Sequence, residues 1–121
     1  MIIDDNKDFL EELKDTLELS GYDVCEINDP LVALEQANKE NPDVILLDLK
    51  MPEKSGFQLA YEFKHYSELR HVPIIAMTGY VNDDNLLFMN IYGIKTCLNK
   101  PFSPLDAISR IEEALTKEDT K

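Results

Sequence analysis

Val44-Ile45-Leu46-Leu47-Asp48-Leu49-Lys50-Met51-Pro52 decides the fold. Its first four residues are apolar without a break, and they are strand-sized. A run of that kind reads as a central parallel strand covered on both faces. It ends on a carboxylate, and the loop Met51-Pro52-Glu53-Lys54-Ser55-Gly56 follows. In open α/β sheets ligands bind beyond the carboxyl ends of the strands. The residue after each apolar run is therefore the first place to look for chemistry.

Upstream, Met1-Ile2-Ile3 is a short apolar run that ends at Asp4-Asp5. Phe9, Leu10, Leu13, Leu17 and Leu19 then recur at helical spacing, and Gly21 is placed to stop the helix. Residues 22–27 alternate apolar and polar, which predicts a strand less buried than the others. Asp29-Pro30 is a helix start, with a capping carboxylate before a proline. Leu31, Leu34 and Ala37 carry that helix to Asn41-Pro42.

Downstream, Phe57, Leu59, Ala60, Phe63 and Tyr66 predict a third helix. Val72-Pro73-Ile74-Ile75-Ala76-Met77 is another buried strand, ending at Thr78-Gly79. Residues 82–92 form a weaker helix, capped by Asn82 or Asp83, with Gly93 just past its end. Residues 95–99 are a short strand that leads into Lys100-Pro101. Ser103-Pro104-Leu105-Asp106 opens the last helix, and Leu105, Ile108, Ile111, Ala114 and Leu115 continue it. Residues 116–121 read as a polar, frayed tail.

The order is strand-helix five times over, which implies a parallel sheet with helices on both faces. Right-handed crossovers favour a doubly wound (βα)5 sheet of order 2-1-3-4-5. The 121 residues fit one domain, 1–121. Met1-Ile2-Ile3 is short for a central strand, as expected of a chain clipped at its start or cut from a longer protein. No repeat or internal linker interrupts it.

Composition bounds the function. Asp and Glu number 24 against 12 Lys and Arg, a formal charge of −12 with a pI near 4.4. Such a chain repels nucleic acid phosphates and anionic membrane surfaces. No apolar run is long enough to span a bilayer, and the start has no signal-peptide pattern. Cys25 and Cys97 lie far apart in apolar runs and read as buried thiols, so a reducing, cytoplasmic setting is expected.

In the order 2-1-3-4-5, the ends of strands one, three, four and five are neighbours. Asp4, Asp5, Asp48, Thr78 and Lys100 thus converge on one rim. Crowded carboxylates call for a cation. Oxygen donors with few protein ligands suit Mg²⁺, which often bridges to phosphate. An ammonium and a hydroxyl can hold further phosphate oxygens, and a carboxylate can accept a phosphoryl group. Taken singly, each residue has a plainer reading: helix-capping acids, a turn aspartate, a strand-end hydroxyl, a solvated lysine. The whole set at successive strand ends outweighs those readings. His65 and His71 flank a loop away from this rim and read as surface residues.

Asp4-Asp5, Leu47-Asp48-Leu49-Lys50-Met51-Pro52, Thr78 and Lys100-Pro101-Phe102 resemble the receiver domain of two-component response regulators, of the chemotaxis-regulator kind. The resemblance covers essentially the whole chain and implies a flavodoxin-like fold. It implies that Asp48 is phosphorylated by a sensor histidine kinase or a histidine phosphotransfer protein. Asp4, Asp5, Asp48 and the backbone carbonyl of Lys50 would be the Mg²⁺ ligands. Lys100 would pair with the phosphoryl group, Thr78 would hydrogen-bond it and act as the switch, and Lys100-Pro101 would be cis. Such a domain catalyses its own phosphorylation and dephosphorylation, with no external substrate turned over. The readout surface would be the fourth helix, fifth strand and fifth helix, residues 82–117, also a dimer face. These 121 residues contain no output domain, so the chain is expected either to work alone on a downstream effector, as a single-domain regulator or relay shuttle, or to have had its output domain left out.

The sequence also departs from the family pattern. Cys97 stands three positions before the lysine, where receivers usually carry the aromatic ring of the switch. Tyr92, Tyr80 and Phe102 are the aromatic residues available to stand in. Tyr80 and Lys50 fall two positions beyond the threonine and the acceptor, where bulk and charge are expected to slow hydrolysis of the acyl phosphate. Two rival readings come from other classes. A pseudo-receiver would bind partners without taking phosphate. An aspartate-nucleophile phosphohydrolase would need Asp-x-Asp after the first strand, which Asp4-Asp5-Asn6 does not supply.

Overall fold

Every apolar run identified above forms a strand. β1 (Ile2–Ile3), β2 (Glu26–Ile27), β3 (Ile45–Asp48), β4 (Ile74–Thr78) and β5 (Thr96–Asn99) make one parallel sheet of order β2-β1-β3-β4-β5. The computed structural model describes residues 1–65, 68–79, 87, 89–94 and 96–119. Among the described residues, the helices are α1 (Lys7–Leu19), α2 (Ala33–Glu40), α3 (Gly56–His65) and a C-terminal helix (Pro104–Asp119). Residues 87 and 89–91 are helical as well. No helix of the described residues is long and apolar enough to cross a membrane.

Alternation along the strands sorts the core into two layers. Ile2, Leu46, Ile75, Met77 and Leu98 pack with Leu10, Leu13 and Leu17 of α1 and with Ala107 and Ile111 of the C-terminal helix. Ile3, Ile45, Leu47, Ile74 and Ala76 face the other way, against Ala33 and Ala37 of α2, Leu59, Ala60 and Phe63 of α3, and Met89. Both faces of the central strands are therefore buried, which is why β3 and β4 are continuous apolar runs rather than alternating ones.

Local signals hold at the element ends. Asn6 caps α1, its side chain accepting the Phe9 N–H at 3.1 Å. Gly21 (φ +96°) ends α1, and Gly93 (φ +78°) ends the helical turn before it. Both use the same closure: the Tyr22 N–H donates to Leu17 O at 3.1 Å, and the Ile94 N–H donates to Met89 O at 2.7 Å. Asp29 caps a single 3₁₀ turn (Pro30–Val32) that leads into α2. Ser103 and Asp106 form a reciprocal capping box, with Asp106 N to Ser103 Oγ at 3.1 Å and Ser103 N to Asp106 Oδ2 at 3.2 Å.

Three expectations are corrected. The strand expected over residues 22–27 contracts to Glu26–Ile27 at the sheet edge, where only one neighbour supplies hydrogen bonds. Residues 116–119 are not a frayed tail: the last helix continues to Asp119, and the Thr116 hydroxyl donates to Glu112 O at 2.8 Å. Cys25 and Cys97 are free and only half-buried, and burial pushes both thiols up from their ordinary values. His65 and His71 are exposed, as expected. Tyr66, Tyr80, Asn82, Asp83 and Lys95 lie outside the described residues, as do residues 120 and 121.

Candidate active site

Strand register assembles the site. Ile3 lies opposite Leu47, so Asp4 leaves β1 beside Asp48 at the end of β3. Asp48 lies opposite Met77, which sets Thr78 one step further along β4. Thr78 lies opposite Asn99, and Lys100 follows at once. The Lys100 N–H donates to Thr78 O at 2.7 Å and extends that pairing past the strand end. The Lys100–Pro101 peptide is cis.

Asp4, Asp5 and Asp48 each bring one carboxylate oxygen into a cluster whose members lie within 4.8 Å of one another. Asp4 and Asp48 are buried, at 1% and 6% exposure, whereas Asp5 faces solvent. Asp4 is held at both oxygens: Oδ1 accepts the Asn6 N–H at 3.0 Å and Oδ2 accepts from Lys100 Nζ at 2.6 Å. Asp48 is held more loosely. Its Oδ1 accepts the Lys50 N–H at 3.4 Å and lies 3.8 Å from Lys100 Nζ. Burial raises the Asp48 pKa to about 6, and the Asp4 charge adds to the rise, against the opposing pull of Lys100 and the Lys50 N–H. Among the described residues, the Lys100 ammonium thus pairs with Asp4 and Asp48, two of the three clustered carboxylates. Thr78 is buried at the rim, at 2% exposure. Lys50 meets the cluster through its backbone, and its side chain is exposed.

The rim therefore gathers Asp4, Asp5, Asp48, Thr78 and Lys100 and puts the Lys50 backbone against Asp48. A donor set of carboxylates alone, two of them buried and short of positive charge, fits a hard divalent cation such as Mg²⁺.

Sequence reasoning missed two contributors. Helical spacing alone makes Phe9 one more apolar position of α1, yet its ring lies under Lys100 Nζ, 4.2 Å from the centroid. Gly56 was read as part of a loop. A Cβ there would collide with the Asp48 carbonyl oxygen and lie 2.8 Å from Leu49 Cα. The glycine lets α3 begin directly against the chain that carries Asp48. Its placement eight residues after an acid that ends an apolar strand was the only signal for it.

Cys97 lies opposite Ala76 on β5 and packs against the α2/α3 layer. Tyr92 packs against the same layer, 5.9 Å from the Phe57 ring and 6.3 Å from the Tyr61 ring. Phe102 points elsewhere: it meets Phe9 edge-on at 5.9 Å.

Known proteins share this sequence pattern and this fold. The family model described as the response regulator receiver domain matches residues 1–112. The polar-differentiation response regulator DivK of Brucella ovis is 33% identical over 115 residues, covering 95% of this chain and 94% of DivK. The chemotaxis protein CheY4 of Vibrio cholerae superposes with a TM-score of 0.90 at 27% identity, covering 94% of this chain and 95% of CheY4. A CheY-like receiver domain protein of Methanospirillum hungatei gives 0.89 at 28% identity, over 98% and 94% of the two chains. Matched by the family model over residues 1–112 and by relatives in sequence and fold over nearly all of its length, the chain belongs to the response regulator receiver domain family.

Proposed function

We propose that the chain, as one receiver domain over 1–121, accepts a phosphoryl group on Asp48 and passes the change to a partner. The observation that supports this most directly is Lys100 Nζ poised between Asp4, at 2.6 Å, and Asp48, at 3.8 Å, at the edge of the three-carboxylate cluster. Phosphoryl transfer asks little of a protein beyond positioning and charge neutralisation.

Asp48 supplies the nucleophile. With a pKa of about 6 its carboxylate is ionised for the most part at neutral pH. One oxygen forms a bond to phosphorus while the bond to the donor, the phosphohistidine of a sensor kinase or phosphotransfer protein, breaks. The products are an acyl phosphate and a free histidine. Asp4, Asp5, Asp48 and the Lys50 carbonyl would hold Mg²⁺, which when bound neutralises the carboxylates and the phosphoryl oxygens. Lys100 leaves Asp4 to pair with a phosphoryl oxygen, and the Thr78 hydroxyl donates to another. Water attacking the same phosphorus returns Asp48 and inorganic phosphate.

The acyl phosphate biases a two-state equilibrium of the rim and of the helical segment that includes residues 87 and 89–91. Cys97 offers no ring to swing, so the signal runs through Thr78 and that segment. Leu87, Ile91 and Leu105 are exposed apolar residues on the surface expected to meet an effector, an output domain or a second copy. The acidic charge disfavours direct binding to nucleic acid or an anionic membrane. The work is cytoplasmic.

The test is intact-protein mass spectrometry after incubation with Mg²⁺ and acetyl phosphate. The expected result is a gain of one phosphoryl group, absent without Mg²⁺ and absent in Asp48→Ala. No gain, with histidine phosphotransfer proteins as donors as well, would overturn the phosphoacceptor reading in favour of a binding-only module.

A further inference from the structure

Lys100 has two carboxylate neighbours and one aromatic one. Its Nζ donates to Asp4 Oδ2 at 2.6 Å, stands 3.8 Å from Asp48 Oδ1, and lies 4.2 Å from the centre of the Phe9 ring. The lysine side chain is 25% exposed, so a face without the ring would be open to water.

The ring is fixed on two sides. The Phe9 N–H bonds to the Asn6 cap at 3.1 Å, which pins its backbone in the first turn of α1. Its ring meets Phe102 edge-on, with centroids 5.9 Å apart and planes at 87°. Phe102 is itself placed two residues after Lys100, beyond the cis peptide. The lysine and the ring that braces its neighbour thus come from one loop, and the ring under the ammonium comes from another element.

We infer that Phe9 is a positioning residue for phosphoryl transfer: its ring carries the Lys100 ammonium between Asp4 and a phosphoryl group on Asp48. This rests on the phosphoacceptor reading given above. The chemistry of the contact explains the choice of side chain. Lys100 must move, because 3.8 Å to Asp48 is too long for a hydrogen bond. A carboxylate or amide at position 9 would accept a hydrogen bond and compete with the phosphoryl oxygens for the ammonium. Water would compete in the same way. An aromatic face attracts the cation without accepting a directed hydrogen bond, and does so for any nitrogen held over the ring within about 6 Å of its centre. The N–H groups stay available throughout, and the ammonium is kept from swinging out to solvent.

The test uses Phe9→Leu, Phe9→Tyr and Lys100→Ala beside the parent. The first readout is the nuclear magnetic resonance shift of the Lys100 terminal methylene and ammonium, which an aromatic ring current displaces. The second is the rate of phosphoryl uptake from acetyl phosphate, split into its maximal rate and its half-saturating donor concentration. Phe9→Leu should lose the ring-current shift and slow the maximal rate by about fivefold, the effect of a half-desolvated cation–ring contact. Phe9→Tyr should restore both. An unchanged rate in Phe9→Leu, while Lys100→Ala abolishes uptake, would overturn the positioning role and leave the phosphoacceptor reading intact. A loss in Phe9→Leu that Phe9→Tyr does not recover would reduce Phe9 to packing and likewise overturn it. A parent that takes no phosphoryl group at all would overturn both readings together.

Discussion

The two faces of the sheet use aromatic rings differently. On the side of α1 and the C-terminal helix, Phe9 and Phe102 meet edge-on beneath the charged rim, and Phe9 touches Lys100 directly. On the side of α2 and α3, Phe57, Tyr92 and Tyr61 adjoin one another in a row, and Tyr61 stacks on His65 at 4.0 Å. Asp48 continues the alternation of Leu46, which packs on the α1 side. Cys97 packs on the α3 side. The difference teaches a division of labour. The α1 face holds the cation that pairs with Asp4 and Asp48, while the α3 face fills with rings the layer where β5 contributes a thiol.

Gly56 is the point at which the α3 face touches the chemistry, so it offers the most severe way to break the comparison. Gly56→Ala would force a Cβ into the Asp48 carbonyl oxygen and against Leu49 Cα. Backbone atoms cannot step aside as a flexible side chain can, so either α3 or the end of β3 must shift. The expected cost is about 3 kcal/mol, at the upper end for overpacked sites. Urea unfolding of parent and variant measures it. Phosphoryl uptake should fall as well, because the displaced strand end carries Asp48. A variant as stable as the parent would show that α3 can move away from the rim freely.

Much of this was legible in the sequence, for a physical reason. A doubly buried strand needs an unbroken apolar run, and ligand groups sit where such a run stops. Val44 to Leu47 before Asp48, and Ile74 to Met77 before Thr78, therefore announce both a strand and the place of its candidate functional end. Capping chemistry is equally local, as Ser103 and Asp106 show. Phe9 was hidden because a ring at helical spacing fits a core face as well as a place beneath an ammonium. Only the fold brings a residue of the first helix to Lys100. Residues 116–119 look like a frayed tail in the sequence because their polarity says nothing against a solvated helix already nucleated by a good cap. The edge strand shrank because alternation predicts which residues face inward, not how many find a partner.

The α1 face makes a second prediction, on the acceptor itself. Ionised Asp48 is a cost to the cation-free fold, since its pKa rises from 3.8 to about 6 on folding. The folded state then binds the proton more tightly than the unfolded chain. That stabilising share is complete below pH 3.8 and is lost as pH rises to about 6. The shift corresponds to a ceiling of roughly 3 kcal/mol, and about 2 kcal/mol is expected at a rim that water reaches. Asp48→Asn should accordingly be more stable than the parent at pH 7.5 without Mg²⁺, with the gap closing toward pH 4. Mg²⁺ should stabilise the parent at pH 7.5 more than it stabilises the variant. Chemical unfolding across that range measures both. A gap independent of pH would mean that folding leaves the Asp48 pKa unchanged, and a gap of the opposite slope would mean that its neighbours stabilise the charged form.

The smallest expected effect tests the division from the α3 side. Tyr92→Leu removes the ring that meets Phe57 and Tyr61 and keeps an apolar side chain on a half-buried site. The loss should be about 1 kcal/mol, the worth of aromatic pairing beyond area burial. Phosphoryl uptake by Asp48 should be unchanged, because Phe57 and Tyr92 pack in the α2/α3 layer, on the face of the sheet opposite the one toward which Asp48 continues the alternation of Leu46. Phe9→Leu should lose a comparable stability with its Phe102 contact but, unlike Tyr92→Leu, should slow uptake. Measuring unfolding and uptake on both variants gives a two-by-two comparison in which each ring has its own signature. If Tyr92→Leu slows uptake as Phe9→Leu does, the row of rings is coupled to the acceptor across the sheet. Tyr92 would then be doing work that Cys97, without a ring, leaves to another residue.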